Sequence, residues 1–305
     1  MKKFNNTALV VLYKSKIMQS QTVRSLLNLD NQGIRQKIII WNNGPALIEN
    51  SDLRSFENIC NEKNIQFEIY QDIRNVPLCH IYNFCLSKAD DDDFFTILDQ
   101  DSCLEHDFLT NLLLHSSYDL ICPKIYDINN QNAQHYPFEY SSGIVFTQFE
   151  FDAKKYITIG SGLSLSKKLI LKMIEKYGLV FDENFAFYFS DTELFFRFKN
   201  IDNVSGYCVG RILHSESNRL SYAEMSETTK IEMGYMYIIN RIYKKNKKSV
   251  FKNLLFCFKY KKKSKCRLPS LFKLIKCVLA KKHPRIDFKI KKDFSADYDN
   301  KVEVN

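Results

Sequence analysis

The 305-residue chain lacks the sequence features that mark several large classes of protein. No long uncharged apolar run is present, and Met1-Lys2-Lys3 is not followed by an apolar stretch, so we expect neither a transmembrane helix nor a signal peptide. The nine cysteines form no Cys-x-x-Cys pair, which argues against zinc and disulfide frameworks and is typical of a reducing cytosol. The Gly-x-Gly-x-x-Gly fingerprint and the Walker loop are also missing, which excludes dinucleotide-binding and P-loop proteins. The cysteines are therefore expected to be mostly buried, as small apolar side chains.

What the sequence does contain is an uneven distribution of charge. The whole chain carries a net charge of +9, but residues 241–292 hold 20 Lys and Arg against one acidic residue, Asp287. The other positions hold 24 of the 44 basic residues and 34 of the 35 acidic ones, a balance of −10. We therefore expect an acidic body, residues 1–240, joined to a basic tail, residues 241–305, with different partners for the two parts.

A short apolar run in the acidic body ends at two carboxylates. Phe94-Phe95-Thr96-Ile97-Leu98 predicts a buried strand, and Asp99 and Asp101 follow at its carboxyl end. In an open α/β sheet ligands bind at this edge, and paired carboxylates there attract Mg²⁺ or Mn²⁺ together with substrate phosphate oxygens. A solvated acidic turn that closes the strand is the alternative, because Asp-x-Asp alone is a short motif.

Residues 1–123 alternate strand and helix patterns, which predicts right-handed βαβ units and a parallel sheet. The predicted strands are Thr7–Tyr13, Lys37–Trp41, Ile65–Tyr70 and Phe94–Asp99. Helices are expected between them, the second capped by Ser51-Asp52 and the third beginning near Pro77. This half of the chain therefore has the pattern of a nucleotide-binding α/β domain.

Residues 124–240 follow a different pattern. Gly160-Ser161-Gly162 would let the backbone approach a ligand closely, and His214 closes the last predicted strand. The predicted elements are a polar loop at Gln131–Tyr140, a helix over Ser166–Tyr177 with Gly178 as C-cap, a helix with Ser190 or Asp191 as N-cap, and a strand at Val204–Leu213.

Five short motifs occur in an order that is recognisable. In chain order they are Leu-Asp-Gln-Asp-Ser, Gly-Ser-Gly, Phe-Asp-Glu, Ser-Asp-Thr-Glu-Leu-Phe-Phe-Arg and Leu-His. This order resembles the family 2 glycosyltransferases, and most of all the bacterial rhamnosyltransferases of surface-polysaccharide (O-antigen or capsule) synthesis. The resemblance covers roughly residues 7–220 and includes segments near Trp41 and Asn75. It implies a GT-A fold, an α/β architecture with a mixed, mainly parallel central sheet, in which a nucleotide-sugar half (about residues 1–123) adjoins an acceptor half (124–240).

The resemblance also implies a metal site and a catalytic base. Asp101 would bind a metal that bridges the donor diphosphate, Asp99 would contact the ribose or the metal, and His214 would be a further metal ligand. A divalent cation suits this chemistry because the leaving diphosphate gains negative charge. Asp191 would take the proton of the attacking acceptor hydroxyl, and its Phe-rich surroundings are expected to raise its pKa. The alternatives are that His214 is structural and that Asp191 only caps a helix.

Several residues are expected to contact the two substrates. The donor-binding set is Tyr13, Asn43, Asn75, Asp99 and Asp101, and the acceptor-binding set is Ser161, Gly162 and Glu193. An ion pair with Arg197, one helical turn away, is the alternative role for Glu193. Asn83 is expected to be a buried amide with structural partners rather than a ligand.

The reaction that the resemblance implies is an inverting, metal-dependent transfer of a sugar. The expected cofactor is Mg²⁺ or Mn²⁺, the expected donor is dTDP-L-rhamnose, and the expected acceptor is a polyprenyl-diphosphate-linked glycan. A UDP-hexose donor stays open, because relatives carry an aspartate where Asn42 stands and an asparagine where Lys14 stands.

The tail predicts two basic amphipathic helices. Their apolar faces are Phe251, Leu254, Leu255 and Phe258 in the first, and Leu271, Leu274, Ile275 and Val278 in the second. Such helices bind anionic membranes without crossing them, so residues 241–292 are expected to hold the protein at the inner face of a bacterial cytoplasmic membrane. A solvated basic face is the alternative, and the residues after Asp293 are expected to be frayed.

Two functions of other classes remain compatible with the sequence. A phosphatase of the haloacid-dehalogenase type also carries a strand-terminal Asp-x-Asp, although that motif usually lies near the start of the chain. The second is a nucleic-acid-binding protein in which the basic tail is the binding element. The apolar faces of the tail favour binding to a membrane instead, so no nucleic-acid partner is expected.

Overall fold

The computed structural model describes residues 4–31, 33–89, 93–214, 221–243 and 249–290. The parts of the predicted tail at 244–248 and 291–305 lie outside the described residues, and so does the expected fraying after Asp293. Within the described part, all nine cysteines are free, and eight of them are buried, as expected, with Cys103 exposed. No helix among these residues is long and apolar enough to span a bilayer.

The first half forms the predicted parallel sheet. Its strands are β1 (Phe4–Leu12), β2 (Ile34–Asn42), β3 (Gln66–Gln71) and β4 (Phe94–Asp99), in the spatial order β3-β2-β1-β4. The helices α1 (Gln21–Leu27), α2 (Asn50–Glu62) and α3 (Leu78–Leu86) alternate with these strands. Strand β1 is apolar along most of its length because it is buried on both faces of the sheet.

The second half extends this sheet rather than forming one of its own. Strand β11 (Leu163–Ser166) pairs antiparallel with both β4 and β6 (Leu120–Asp127). Strand β12 (Ser205–His214) pairs parallel with β6 and antiparallel with β5 (Ser102–Leu104). The elements of this half are β5 (Ser102–Leu104), α4 (Phe108–Leu114), β6 (Leu120–Asp127), β7 (Gln134–Tyr136), β8 (Phe138–Glu139), β9 (Glu150–Asp152), β10 (Tyr156–Ile157), β11 (Leu163–Ser166), α5 (Lys167–Tyr177), α6 (Ser190–Phe198) and β12 (Ser205–His214). The result is a mixed ten-stranded sheet that runs through both predicted halves, with β8 and β10 as a separate pair.

Three C-terminal helices complete the described chain. They are α7 (Glu227–Tyr243), α8 (Val250–Ser264) and α9 (Leu268–Ala280). Helices α7 and α9 approach closely at Gly234, where an added Cβ would lie 2.6 Å from the side chain of Leu274. Buried residues of all three helices belong to the same apolar cluster as the sheet. The expected boundary at residue 240 therefore falls inside α7, and the basic helices are packed onto the body.

Three local predictions need correction, and one short strand was not predicted. Helix α2 begins before Asp52, whose buried carboxylate instead accepts hydrogen bonds from the backbone N–H groups of Ile17 (2.6 Å) and Met18 (3.2 Å). Helix α6 begins at Ser190 after Phe189, which has φ 77°, so neither Ser190 nor Asp191 is its N-cap. The predicted loop 131–140 contains β7 and β8, and β5 was not predicted.

Two other capping features of the second half are as expected. Ser166 caps α5 by accepting from the N–H of Leu169, and Gly178 ends that helix at φ 76°.

Candidate active site

The turn that carries the two strand-terminal carboxylates is held by the start of α1. Ser20 donates its hydroxyl to the carbonyl of Gln100 at 2.7 Å, and the N–H of Ser102 donates to the hydroxyl of Thr22 at 2.8 Å. Thr22 in turn donates to the carbonyl of Asp99. The start of α1 therefore holds the turn through the backbone of Asp99, Gln100 and Ser102. The carboxylates of Asp99 and Asp101 are partly exposed.

His214 lies between these two carboxylates. Strand β12 pairs with β5, which brings His214 opposite Ser102. The Nε2 of His214 is 3.8 Å from Asp99, and its Nδ1 is 3.5 Å from Asp101. Ser161 donates its hydroxyl to Asp99 at 2.6 Å and lies 3.4 Å from Nδ1 of His214. Burial raises the pKa of Asp101, and nearby Asp99 raises it further, whereas His214 lowers it.

The types of ligand in this cluster fit a hard divalent cation. Ligand atoms 2.0–2.1 Å from an octahedral ion lie about 3 Å from one another. A cation binds one ring nitrogen of a histidine, and each nitrogen of His214 lies slightly farther than this from one carboxylate, Nδ1 3.5 Å from Asp101 and Nε2 3.8 Å from Asp99. The described residues nevertheless contain no ready-made group of three or more His, Cys, Asp or Glu side chains that would hold a metal on its own. A cation here would accordingly share its coordination with oxygen atoms of a substrate or of water.

Asp191 faces the same cavity from the second position of α6. Its carboxylate accepts a hydrogen bond from the N–H of Thr192 at 2.7 Å and one from the backbone of Gly160. Burial raises the pKa of Asp191 to about 6, with a further contribution from the charge of Asp99, while the backbone hydrogen bonds act in the opposite direction. The result is a carboxylate that can accept a proton near neutral pH.

One cavity of about 430 Å³ joins these residues. Of the sequence-predicted residues, it is lined by Tyr13, Asn43, Asn75, Asp99, Asp101, Asp191 and His214. The side chain of Asn43 is committed to the chain itself, because it accepts from the N–H of Val76 at 2.7 Å and donates to the carbonyl of Val76 at 3.0 Å. Asn43 therefore shapes the loop that carries Asn75, which has φ 59°.

The three predicted acceptor contacts do not reach the cavity surface. Ser161 is buried and bonded to Asp99, so it orients that carboxylate instead. Gly162 has φ 81° and packs so closely on Ile212 that an added Cβ would lie 2.6 Å from it. The carboxylate of Glu193 is buried and lies 3.6 Å from Nε of Arg197, which is the expected alternative. Asn83 bonds the backbone of Phe181 at 2.9 and 3.0 Å, as expected of a structural amide.

Several cavity residues were not predicted from the sequence. They include Gln100, Tyr136, Phe187, Tyr188, Thr228, Thr229, Glu232 and Arg285. Tyr188 directly follows Phe187 in the aromatic segment before α6, for which only an effect on the pKa of Asp191 was predicted. Glu232 and Arg285 come from the C-terminal region, where no local motif pointed to the cavity.

Comparison with known proteins identifies the fold. No protein-family model and no curated protein matches the sequence. A crystal structure of GalNAc-T7 with UDP, GalNAc and Mn²⁺ matches with a TM-score of 0.54 at 11% identity, covering 99% of this chain and 58% of that one. A structure of S. aureus TarS residues 1–349 with UDP-GlcNAc matches with a TM-score of 0.53 at 13% identity, covering 93% and 83%.

A longer TarS structure matches with a TM-score of 0.52 at 12% identity, covering 93% of this chain. The chain spans 58% of the GalNAc-T7 structure and 50% of the longer TarS structure. The chain has the GT-A fold. Asp99 and Asp101 follow the fourth strand in chain order, whereas the Asp-x-Asp of a haloacid-dehalogenase phosphatase usually lies near the start of the chain.

Proposed function

We propose that the protein is a metal-dependent, inverting glycosyltransferase that uses a nucleotide-sugar donor. The observation that carries the proposal is the meeting of Asp99, Asp101, His214 and Asp191 in one cavity of a GT-A fold. Four chemically distinct requirements of glycosyl transfer, a metal site, a base, a nucleotide pocket and a water-poor wall, have candidate residues around that cavity. The GalNAc-T7 structure contains UDP and Mn²⁺, and the TarS structure contains UDP-GlcNAc, which supports a nucleotide-sugar donor here as well.

Asp191 is the proposed general base. An acceptor hydroxyl attacks the anomeric carbon on the face opposite the leaving diphosphate, and its proton passes to the carboxylate of Asp191. A pKa near 6 leaves this carboxylate ionised at neutral pH but basic enough to hold a proton as the new bond forms. The carbon–oxygen bond to the diphosphate breaks with its electron pair on oxygen. Because the acceptor attacks from the opposite face, the configuration at the anomeric carbon inverts.

Asp99, Asp101 and His214 are the proposed protein ligands of Mg²⁺ or Mn²⁺. The bound cation would supply charge stabilisation for the diphosphate as it departs. Ser161 holds Asp99 by a 2.6 Å hydrogen bond and so fixes the orientation of one carboxylate oxygen. Such supporting contacts commonly change metal affinity by about tenfold to a hundredfold when removed.

The donor is proposed to be dTDP-L-rhamnose, on the resemblance described above, with a UDP-hexose as the alternative. Tyr13 is 38% exposed at the end of β1 and offers a ring face to a nucleobase. Asn75 also lines the cavity and offers an amide to the base or the ribose. The acceptor is proposed to be a polyprenyl-diphosphate-linked glycan, as in surface-polysaccharide synthesis.

The basic C-terminal helices are proposed to bind the inner face of a bacterial cytoplasmic membrane. The faces expected to do so need correction, because Leu271, Leu274 and Val278 are buried in the core. The outward apolar residues are Phe251, Leu255 and Phe258 on α8 and Leu268, Phe272 and Leu279 on α9. Residues 249–282 contain 11 Lys and Arg and no acidic residue, which complements an anionic lipid surface.

A donor screen tests the enzymatic proposal. The purified chain is incubated with Mn²⁺ or Mg²⁺ and a panel of dTDP-, UDP- and GDP-sugars, and both binding and slow donor hydrolysis are measured. We expect one nucleotide class to bind in a metal-dependent manner, and Asp191→Asn to bind it while losing turnover. If no nucleotide sugar is bound or consumed under any condition, the proposal is wrong.

A further inference from the structure

Residues 281–290, the segment that follows α9, run back towards the cavity, which Arg285 lines. Its first anchor is His283, which is buried and whose Nε2 lies 3.0 Å from the carboxylate of Glu232 on α7. The ring of His283 also meets that of Tyr235 edge-on, with 4.8 Å between centroids. These contacts fix the start of the segment against α7, next to residues that line the cavity.

A second anchor ties the same segment to the nucleotide half. The guanidinium of Arg74 lies 4.3 Å from the ring centroid of Phe288 and donates to the carbonyl of Lys289 at 3.4 Å. Arg74 follows β3 and is itself held by the buried carboxylate of Asp72. The segment therefore spans the distance from the C-terminal helices to the donor side of the cavity, and Arg285 lies between its two anchors.

Arg285 lines the cavity, and no carboxylate of the described chain neutralises its guanidinium. Its guanidinium lies 4.9 Å from the ring centroid of Phe187, and its Nη1 makes a long 3.5 Å hydrogen bond to the carbonyl of Asn75. Among the described lining residues it is the only arginine or lysine, whereas Asp99, Asp101, Asp191 and Glu232 are acidic. No ion pair within 4.0 Å joins Arg285 to a carboxylate of the described chain.

We propose that Arg285 binds the diphosphate of the nucleotide-sugar donor, an inference that rests on the proposed function. A guanidinium presents parallel N–H donors that match phosphate oxygens in a bidentate manner, and the planar ring of Phe187 supports it from one side. When the bond from the anomeric carbon to the diphosphate breaks, its electron pair stays on the diphosphate oxygen. Arg285 stabilises the added negative charge there, while His283 acts as a positioning residue for the segment.

Calorimetric titration of the full chain in the presence of Mn²⁺ tests this role. UDP, dTDP and GDP are each titrated into the wild type. The affinities for the nucleoside diphosphate that binds, and for the corresponding monophosphate, are then compared between the wild type and each variant. We expect Arg285→Ala to weaken diphosphate binding by about tenfold to a hundredfold, since hydrogen bonds to charged groups have this strength. Arg285→Lys is expected to retain part of the affinity, and Arg267→Ala, an exposed arginine of the same basic region, is the matched control with no loss.

The possible outcomes separate this inference from the proposal beneath it. If the wild type binds none of the three nucleotides with Mn²⁺, the proposed function fails and the role of Arg285 fails with it. If the wild type binds a nucleoside diphosphate and Arg285→Ala binds it equally well, only the role of Arg285 is wrong. A higher KM of that variant for a lipid-linked acceptor would not rescue the role. Equal losses for monophosphate and diphosphate, or an equal loss in Arg267→Ala, would also contradict a contact with the diphosphate.

Discussion

The burial of Asp191 is expected to have two opposing effects: it suits the carboxylate to the proposed role of base, and it lowers the stability of the folded state. The same burial that raises its pKa to about 6 makes its ionised form less stable in the protein than in water. The surrounding backbone compensates in part through the N–H groups of Thr192 and Gly160. Activity and stability should therefore respond in opposite directions to the same substitution.

The activity of Asp191→Asn is the first prediction. Because only the ionised carboxylate accepts a proton, wild-type kcat/KM should rise as the pH increases through about 6 and level off above it. The asparagine variant should lose about 10²- to 10⁴-fold in turnover and also lose this pH dependence, while donor binding stays within a few fold. Asp152→Asn, which changes an exposed carboxylate of β9, is the control. Turnover above a tenth of wild type would rule out Asp191 as the base.

The stability of the same variant is the second prediction. A folded-state pKa above the usual value of 3.8 means that ionisation lowers the stability of the fold as the pH rises from about 4 to about 6, with the full loss present at any higher pH. A shift of that size corresponds to about 3 kcal/mol, which partial solvent access reduces to about 1–2 kcal/mol. Asp191→Asn should therefore be more stable than the wild type at pH 8 and have no such advantage at pH 4. Urea denaturation at both pH values measures this difference, and equal stability at pH 8 would contradict it.

Whether a site residue could be predicted from the sequence depended on how far along the chain its structural partners lie. Asp99 and Asp101 follow a strand with a clear apolar pattern, so the sheet edge that carries them could be predicted. Asp191 and His214 were linked to that edge only by the resemblance in the order of the motifs. Ser161 and Glu193 could not be placed, because their burial depends on partners 62 positions away for Ser161 and on side-chain direction within α6 for Glu193. Arg285 contacts Asn75 across 210 positions, which no local pattern encodes.

At the scale of elements, β11 decides how the halves join. This four-residue strand inserts between β4 and β6 and pairs antiparallel with both, which turns a parallel sheet into a mixed one. The alternating strands and helices of residues 1–123 were predictable because each βαβ unit is local. Strand β5, at three residues, was too short to produce a pattern, and its pairing with β12 is set by the fold as a whole.

Gly162, which precedes β11, gives the third prediction. Its φ of 81° is unfavourable for any residue with a Cβ, and the added atom would lie 2.6 Å from Ile212 and 2.7 Å from Pro123. Gly162→Ala should therefore lower the free energy of unfolding by about 2–5 kcal/mol, the sum of backbone strain and overpacking. Gly178→Ala is the matched control, with φ 76° but open space around it, and should cost about 1–2 kcal/mol. Equal losses in denaturant titrations of the two variants would show that crowding at β11 is unimportant.

At the scale of the whole molecule, the basic region is part of the body on one side and exposed on the other. Helices α8 and α9 bury Cys257, Tyr260 and Leu274 in the apolar cluster that also contains residues of the sheet. Charge counting alone could not predict this packing, because composition does not reveal which apolar residues face inward. The segment around Arg285 adds further contacts of this kind, because His283 contacts α7 and Phe288 contacts Arg74, which follows β3.

The outward side of these helices gives the last prediction. Phe258 and Phe272 are 55% and 62% exposed among lysines, and burial of each ring in a lipid interface would contribute about 1.5–3 kcal/mol. Phe258→Ser/Phe272→Ser should therefore reduce sedimentation with phosphatidylglycerol-containing vesicles by at least about tenfold, and Leu114→Ser/Leu171→Ser, two exposed leucines elsewhere, should not. Binding should also weaken with added salt and be absent on neutral vesicles, because the lysines act through screened charge. Undiminished vesicle binding by the phenylalanine variant would mean that charge alone holds the protein, and binding to an oligonucleotide instead of vesicles would mean that the basic surface serves a different partner.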